Sequence, residues 1–177
     1  MLYIILGTIV IISIILMIIT INYNKFRFTI IKIDEAENNI EVLLKKKMEL
    51  LDRTRPIIKK ELRLNEFLED IDFLVASDIN HFEMNSSLKE THLELIKILD
   101  EHEKLLKSEK LVSIIEEINS NDESILGSTK YYNDSVVNFN KLVGSFPSNI
   151  IAILWGYKRK EFYNNERREM YEILNEK

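Results

Sequence analysis

The stretch "FRFTIIKIDEAENNIEVLLKKKMELL", Phe26 to Leu51, contains no Gly and no Pro, and its apolar residues fall at Phe26, Ile30, Ile33, Ala36, Ile40, Leu44, Met48 and Leu51. Steps of four and three residues place all eight on one face of a helix that turns every 3.6 residues or so. A strand would alternate every second residue, and nowhere in the chain does such alternation last long enough to count. With four Gly and two Pro in 177 residues, helix breakers are scarce as well. The sequence therefore predicts an all-α protein in which one-sided helices bury their stripes against each other.

Upstream of this helix lies Leu2 to Ile21, LYIILGTIVIISIILMIITI, 20 residues without a charge. At about 1.5 Å per residue such a helix reaches ~30 Å, the thickness of a bilayer's hydrocarbon core. It begins without a basic n-region and ends in Thr20-Ile21-Asn22-Tyr23 rather than in a small-residue cleavage site, so the reading is an uncleaved transmembrane anchor. No Gly or Pro separates it from the Phe26 stripe. A single helix is expected to run from the membrane to about Arg53, stopping before Pro56 because the residue preceding a proline is pushed out of helical geometry. Lys25, Arg27 and Lys32 follow the span and no basic residue precedes it, which places the soluble part on the cytoplasmic side. The expected organisation is an anchor over residues 1–22 and a soluble helical-bundle domain over 23–177.

Downstream, Pro56 can open a second helix with a stripe of Ile57, Leu64, Phe67/Leu68, Ile71 and Leu74/Val75. The polar stretch Ser77 to Ser87 is expected to be a loop. Ser87-Leu-Lys-Glu90 has the capping-box pattern of a helix start, followed by Leu88, Leu95, Leu99 and Leu106 at helical spacing. The last long helix carries Ile125, Thr129, Tyr132, Val136, Phe139 and Val143 in alternating steps of four and three, the seam of a packed bundle or coiled coil. Leu111 to Ile118 either belongs to it or forms a short helix of its own. Phe162, Glu166, Met170 and Ile173 mark a final amphipathic helix.

Composition excludes several chemistries. There is no Cys, so no disulfide, thiolate metal site or lipid-modified cysteine. Twenty-four basic residues against 29 acidic ones give no basic face for nucleic acid. His81, His92 and His102 lack metal-ligand spacing, and Glu101-His102-Glu103 reads as a solvated helix face. There is no G-x-S-x-G and no Gly-rich phosphate loop. No catalytic residue, cofactor or metal site is assigned. Lys45-Lys46-Lys47 reads as a solvated face with Glu41 and Glu49 as helical partners.

Between two glycines stands the most apolar stretch outside the anchor, "SFPSNIIAILWGYKRK", Ser145 to Lys160. Gly144 suits a helix end with positive φ, Pro147 or Ser148 starts a new turn, and Gly156 ends it, which defines a helical stub over Ser148 to Trp155. In an up-and-down bundle the fourth helix delivers this stub to the bilayer surface. Trp155, Tyr157, Lys158, Arg159 and Lys160 are then candidates for contact with the membrane surface or a partner. The plainer alternative has Ile150, Ile151, Ile153 and Leu154 plugging the bundle end while the basic residues cap the stub's carbonyls.

Residues 131–163, "YYNDSVVNFNKLVGSFPSNIIAILWGYKRKEFY", resemble the C-terminal block of the LemA family, a YNxxVxxYN helix followed by SFPSN, an apolar turn and a G-[FY]-K stretch ending in aromatics. Upstream, "IDEAENNIEVLLKKKMELL" is similar to the family's V-D-E-A-W-x-x-I-D-V-x-L-K-R-R-x-D-L-I-P-N-L segment. Glu37 stands where the family usually has Trp, Asp52-Arg53 replace Pro-Asn, and Gly127 to Lys130 alter an Ala/Arg-rich stretch. The resemblance implies a membrane-anchored antiparallel bundle of about four helices, of a kind found widely in bacteria, and supplies no catalytic residue. The function expected is that of a non-enzymatic interaction or scaffolding module at the membrane. Its expected partners are the lipid bilayer, membrane or cytoplasmic proteins, and a further copy of the chain. The alternative is a ligand-binding sensor whose bundle core is lined by Tyr131, Tyr132 and Phe139.

Overall fold

A computed structural model describes residues 1–63, 68, 71–72 and 80–163. Those residues are helical almost throughout, in an all-α bundle of four α-helices: α1 (Leu2–Leu62), α2 (His81–Glu101), α3 (Glu109–Gly144) and α4 (Ser148–Trp155), with a 3₁₀ turn (Glu103–Lys107) between α2 and α3. The chain packs as two compact units, one made of Met1–Glu37 with the chain from Lys130 on, the other of Asn38–Thr129.

In the second unit the predicted stripe of α1 supplies core residues Ile40, Leu44 and Leu51, joined by Leu50 from outside the stripe, while Met48 of the stripe is half-buried. The helix does not stop at Arg53. It runs through Pro56 to Leu62, although the proline has no N–H for the Asp52 carbonyl and such a defect costs about 3 kcal/mol. The buried row explains the continuation, because Lys47, Leu51, Thr54 and Ile58 step by four, three and four, and a break would turn Ile58 out of the core. The Thr54 hydroxyl donates to the Leu51 carbonyl at 2.7 Å. Arg55 grips Asp72 through two bonds of 2.8 and 2.7 Å and reaches Asp52 at 3.0 Å. Leu68 and Ile71 of the predicted second stripe are buried and Ile57 is half-buried, while Leu64, Phe67, Leu74 and Val75 lie outside the described residues.

Helix α2 starts earlier than its capping-box pattern indicates. The Asn80 side chain accepts from the amides of Phe82 and Glu83, both at 3.0 Å, whereas Ser87 sits inside the helix, its carbonyl accepting from the Thr91 hydroxyl. Asn and Ser are comparable N-caps, and the earlier start buries Met84 and Asn85 in addition to Leu88, Leu95 and Leu99. Leu106 falls in the 3₁₀ turn and is exposed, with Leu105 turned inward in its place. Leu111 to Ile118 belongs to α3, which buries Leu111, Ile114 and Ile118.

Lys47 departs from the solvated reading. Lys45 does pair with Glu41 at 2.6 Å on an exposed face, but successive helical residues point about 100° apart, and Lys47 turns inward until its side chain is 5% exposed. Its ammonium meets both carboxylate oxygens of Asp122 on α3, at 2.7 and 3.0 Å. His92 Nδ1 of α2 lies 3.1 Å from the same carboxylate. Partial burial alone would raise the Asp122 pKa, but the hydrogen bonds and charges of His92 and Lys47 together hold it below the ordinary carboxylate value. Beside this pair Asn121 donates to the Leu43 carbonyl at 3.0 Å, and Arg53 faces Glu117 at 3.6 Å. As α1 advances from 47 to 53 its partners on α3 retreat from 122 to 117, so the two helices run antiparallel.

Candidate functional site

In the first unit α1 and α3 are again antiparallel, and between them the chain reverses through the stub. Phe26 is completely buried, its ring centroid 5.6 Å from that of Phe139 and 4.8 Å from that of Tyr157. Burial, together with the nearby Glu37 carboxylate, pushes the pKa of the Tyr132 hydroxyl above the ordinary tyrosine value, so the residue at the family's usual Trp position faces a buried phenol. The Tyr163 phenol is pushed up to about 12 by burial.

The reversal is built from the "SFPSN" residues. Ser148, buried, has its hydroxyl 2.7 and 2.8 Å from the carbonyls of Leu142 and Ser145, and the Asn149 amide donates to the Ser145 carbonyl at 2.8 Å. The Phe146–Pro147 peptide is cis. Helix α4 ends as predicted at Gly156, whose φ of 70° only glycine adopts without strain. Gly144 differs from expectation, since its φ is not positive. A Cβ there would stand 3.4 Å from Nη2 of the exposed Arg159 side chain, an ordinary van der Waals contact, so neither backbone conformation nor space requires this glycine. The α4 carbonyls of Ala152 and Ile153 are capped by the amides of Tyr157 and Gly156 rather than by basic side chains.

Past Gly156 the chain runs back along α3 without helix, held by polar side chains on that helix. Asn140 donates to the Lys160 carbonyl and accepts from the Lys160 amide, both at 2.9 Å. Asn133 accepts from the Tyr163 amide at 2.8 Å, and the Tyr132 hydroxyl donates to the Glu161 carbonyl at 3.2 Å. Seven helical residues rise about 10.5 Å, and three residues of extended chain cover about 10 Å, so Asn133 and Asn140 match Tyr163 and Lys160. Asn140→Ala is expected to destabilise by about 1–3 kcal/mol, because it strands both backbone groups of Lys160. Hydrogen exchange checks it directly: the Lys160 amide should lose protection while amides in the middle of α3 keep theirs.

The five candidate residues fare differently. Trp155 is half-exposed and packs on Tyr23 of α1, ring centroids 5.5 Å apart. Tyr157 has its ring in the Phe26–Phe139 cluster. Lys158 and Arg159 are exposed, and Lys160 is half-buried with its backbone bound to Asn140. The plug reading needs correction. Of its four residues only Ile151 is buried, beside Ala152, whereas Ile153 and Leu154 are 79% and 66% exposed and Ile150 lies on the same outward face. Tyr131 is exposed on α3, while Tyr132 and Phe139 turn inward against Tyr163 and Phe26. Tyr23 and the two asparagines, which stand in the YNxxVxxYN motif, were given no role by the sequence reading, although the seven-residue spacing of Asn133 and Asn140 within an apolar seam was a visible signal. Phe162 is in the non-helical segment, and Glu166, Met170 and Ile173 of the predicted last helix lie outside the described residues.

Compared with known proteins, residues 36–173 match the model of the LemA family. No curated protein matches the chain.

Proposed function

The chain belongs to the LemA family, and from that premise we propose that it is a single-pass, membrane-anchored helical module that binds other proteins at the cytoplasmic face of a bacterial membrane, without catalysis of its own. The observation that carries the anchor is the first third of α1, long and apolar enough to cross a bilayer, with none of that stretch buried against the rest of the molecule. Its few polar side chains are satisfied within the helix: the hydroxyls of Thr8, Ser13 and Thr20 donate to the carbonyls of Ile4, Ile9 and Leu16 at 2.6, 2.8 and 2.9 Å. Hydrocarbon imposes that condition and water does not. Tyr3 and Tyr23 stand near the two ends, where aromatic side chains favour the interface.

The same helix continues without a break into the packed core, so the anchor and the bundle are one element. Lys25, Arg27 and Lys32 beyond the span favour a cytoplasmic bundle. Long helices with exposed apolar residues such as Val42 and Leu93 suit recognition of other helices.

In bacterial cells the full chain should sediment with membranes, resist extraction by salt and dissolve in detergent. Ile12→Arg with Ile15→Arg should shift it toward the soluble fraction, each arginine opposing insertion by about 3 kcal/mol. A reporter fused to the C-terminus should read as cytoplasmic, and an external reading would overturn the orientation. A photo-crosslinking residue at Val42 or Leu93 should give discrete protein adducts in native membranes. Adducts to lipid alone would remove the interaction role.

A further inference from the structure

We infer that α4 is a second membrane contact, a wedge whose outward face lies in the interface of an anionic bilayer beside the point where α1 emerges. The inference rests on the anchor reading and adds to it. Three independent features of the first unit carry it.

The first is the direction of the apolar face. Ile150, Ile153 and Leu154 are spaced by three and four, one side of a helix, and that side is turned away from the protein, while Ile151 and Ala152 on the other side are buried. Phe146, in the turn before α4, is 80% exposed. Such a patch on a protein surface marks a membrane or protein interface.

The second is position. Trp155 rests on Tyr23, two residues past the end of the apolar span at Ile21, which is about 3 Å along the helix. The exposed face of α4 is thus continuous with a surface already committed to hydrocarbon, and a Trp at that level occupies the zone aromatic side chains prefer. This continuity selects a bilayer over a protein partner as the occupant.

The third is charge. Residues 1–33 carry Lys25, Arg27 and Lys32, and residues 135–160 carry Lys141, Lys158, Arg159 and Lys160, with no Asp or Glu in either stretch. The whole chain has a formal charge of −5, so these two stretches stand out as basic because every acidic residue lies elsewhere in the sequence. Anionic headgroups are the complement of such stretches.

Trp155 is the only Trp in the chain, so its fluorescence reports on α4 alone. The full chain would be reconstituted in vesicles of phosphatidylcholine and phosphatidylglycerol, with and without bromine on the acyl chains, and flotation would be measured on the same samples. Brominated lipid should remove roughly half or more of the Trp155 emission if the ring lies at the interface. Ile153→Asp with Leu154→Asp, both at exposed positions, should restore the emission while circular dichroism stays unchanged. Emission untouched by bromine in a chain that floats would overturn the wedge and leave the anchor standing; a chain that fails to float would overturn both. Quenching that survives the double substitution would remove the outward face from the contact, and equal quenching in phosphatidylcholine alone would remove the preference for anionic lipid.

Discussion

Asp122→Ala is expected to destabilise the protein by about 3 kcal/mol, the low end of the range for breaking a buried ion pair by deleting one partner. The low end applies because Asp122 keeps a third of its side-chain exposure, so water can reach the vacated place. The loss arises chiefly from what remains: the Lys47 ammonium is almost fully enclosed and would keep its charge with no counter-ion. Replacing both members with apolar residues, Lys47→Met with Asp122→Leu, should recover most of the loss, since well-packed hydrophobic substitutes for a buried pair are often neutral. Urea denaturation of the three variants tests this. A single variant as stable as the parent would show that water screens the pair.

The same pair sets a pH dependence. The folded-state pKa of Asp122 is depressed below the ordinary carboxylate value, so its contribution is fully present above the unfolded pKa and is lost as pH falls through the folded one. Denaturation midpoints of the parent should therefore drop more steeply below about pH 4 than those of Asp122→Ala.

Phe26→Ala should have a comparable effect in the other unit, about 3–5 kcal/mol. The ring is wholly enclosed and touches two others, Phe139 edge-on and Tyr157 at 4.8 Å, and each aromatic pair adds about 0.5–1.5 kcal/mol beyond area burial. Phe26→Leu, nearer in volume, should lose about 1.5 kcal/mol or less. A thermal midpoint moved no more by Ala than by Leu would show that the site collapses around the deletion. Because Tyr23 is one turn before Phe26, the Ala variant should also shift Trp155 emission, linking the core to the stub.

Much of this architecture could be read before any coordinate. The stripe from Phe26 to Leu51, the seam from Ile125 to Val143 and the glycine that ends α4 all express local periodicity or a single residue's backbone freedom, and each appears where expected, with Ile30, Met48 and Val143 half-buried at the margins of their faces. The misses share a cause. Pro56 predicts a break, but that rule weighs only the backbone, whereas Ile58 gains a place in the core if the helix continues. Ser87 and Asn80 are both good caps, and only the burial of Met84 decides between them. Lys47 looked like its neighbours because a run of lysines is read as one feature, although a helix sends each in a different direction. Periodicity showed that α4 has faces without showing which one is covered, since that depends on Phe26 and Tyr23, more than 120 positions earlier in the chain.

The match between seven helical residues and three extended ones leaves the returning chain no slack. A residue deleted between Lys160 and Tyr163 would leave it too short to reach both asparagines, and one inserted there would have to bulge outward. The reversal between Asn140 and Lys160 is bound less strictly, because a turn can absorb a change in its own length. In relatives of this protein, insertions and deletions should therefore gather in the turn and avoid the strap, so that natural length variation would map the fastening from sequence alone.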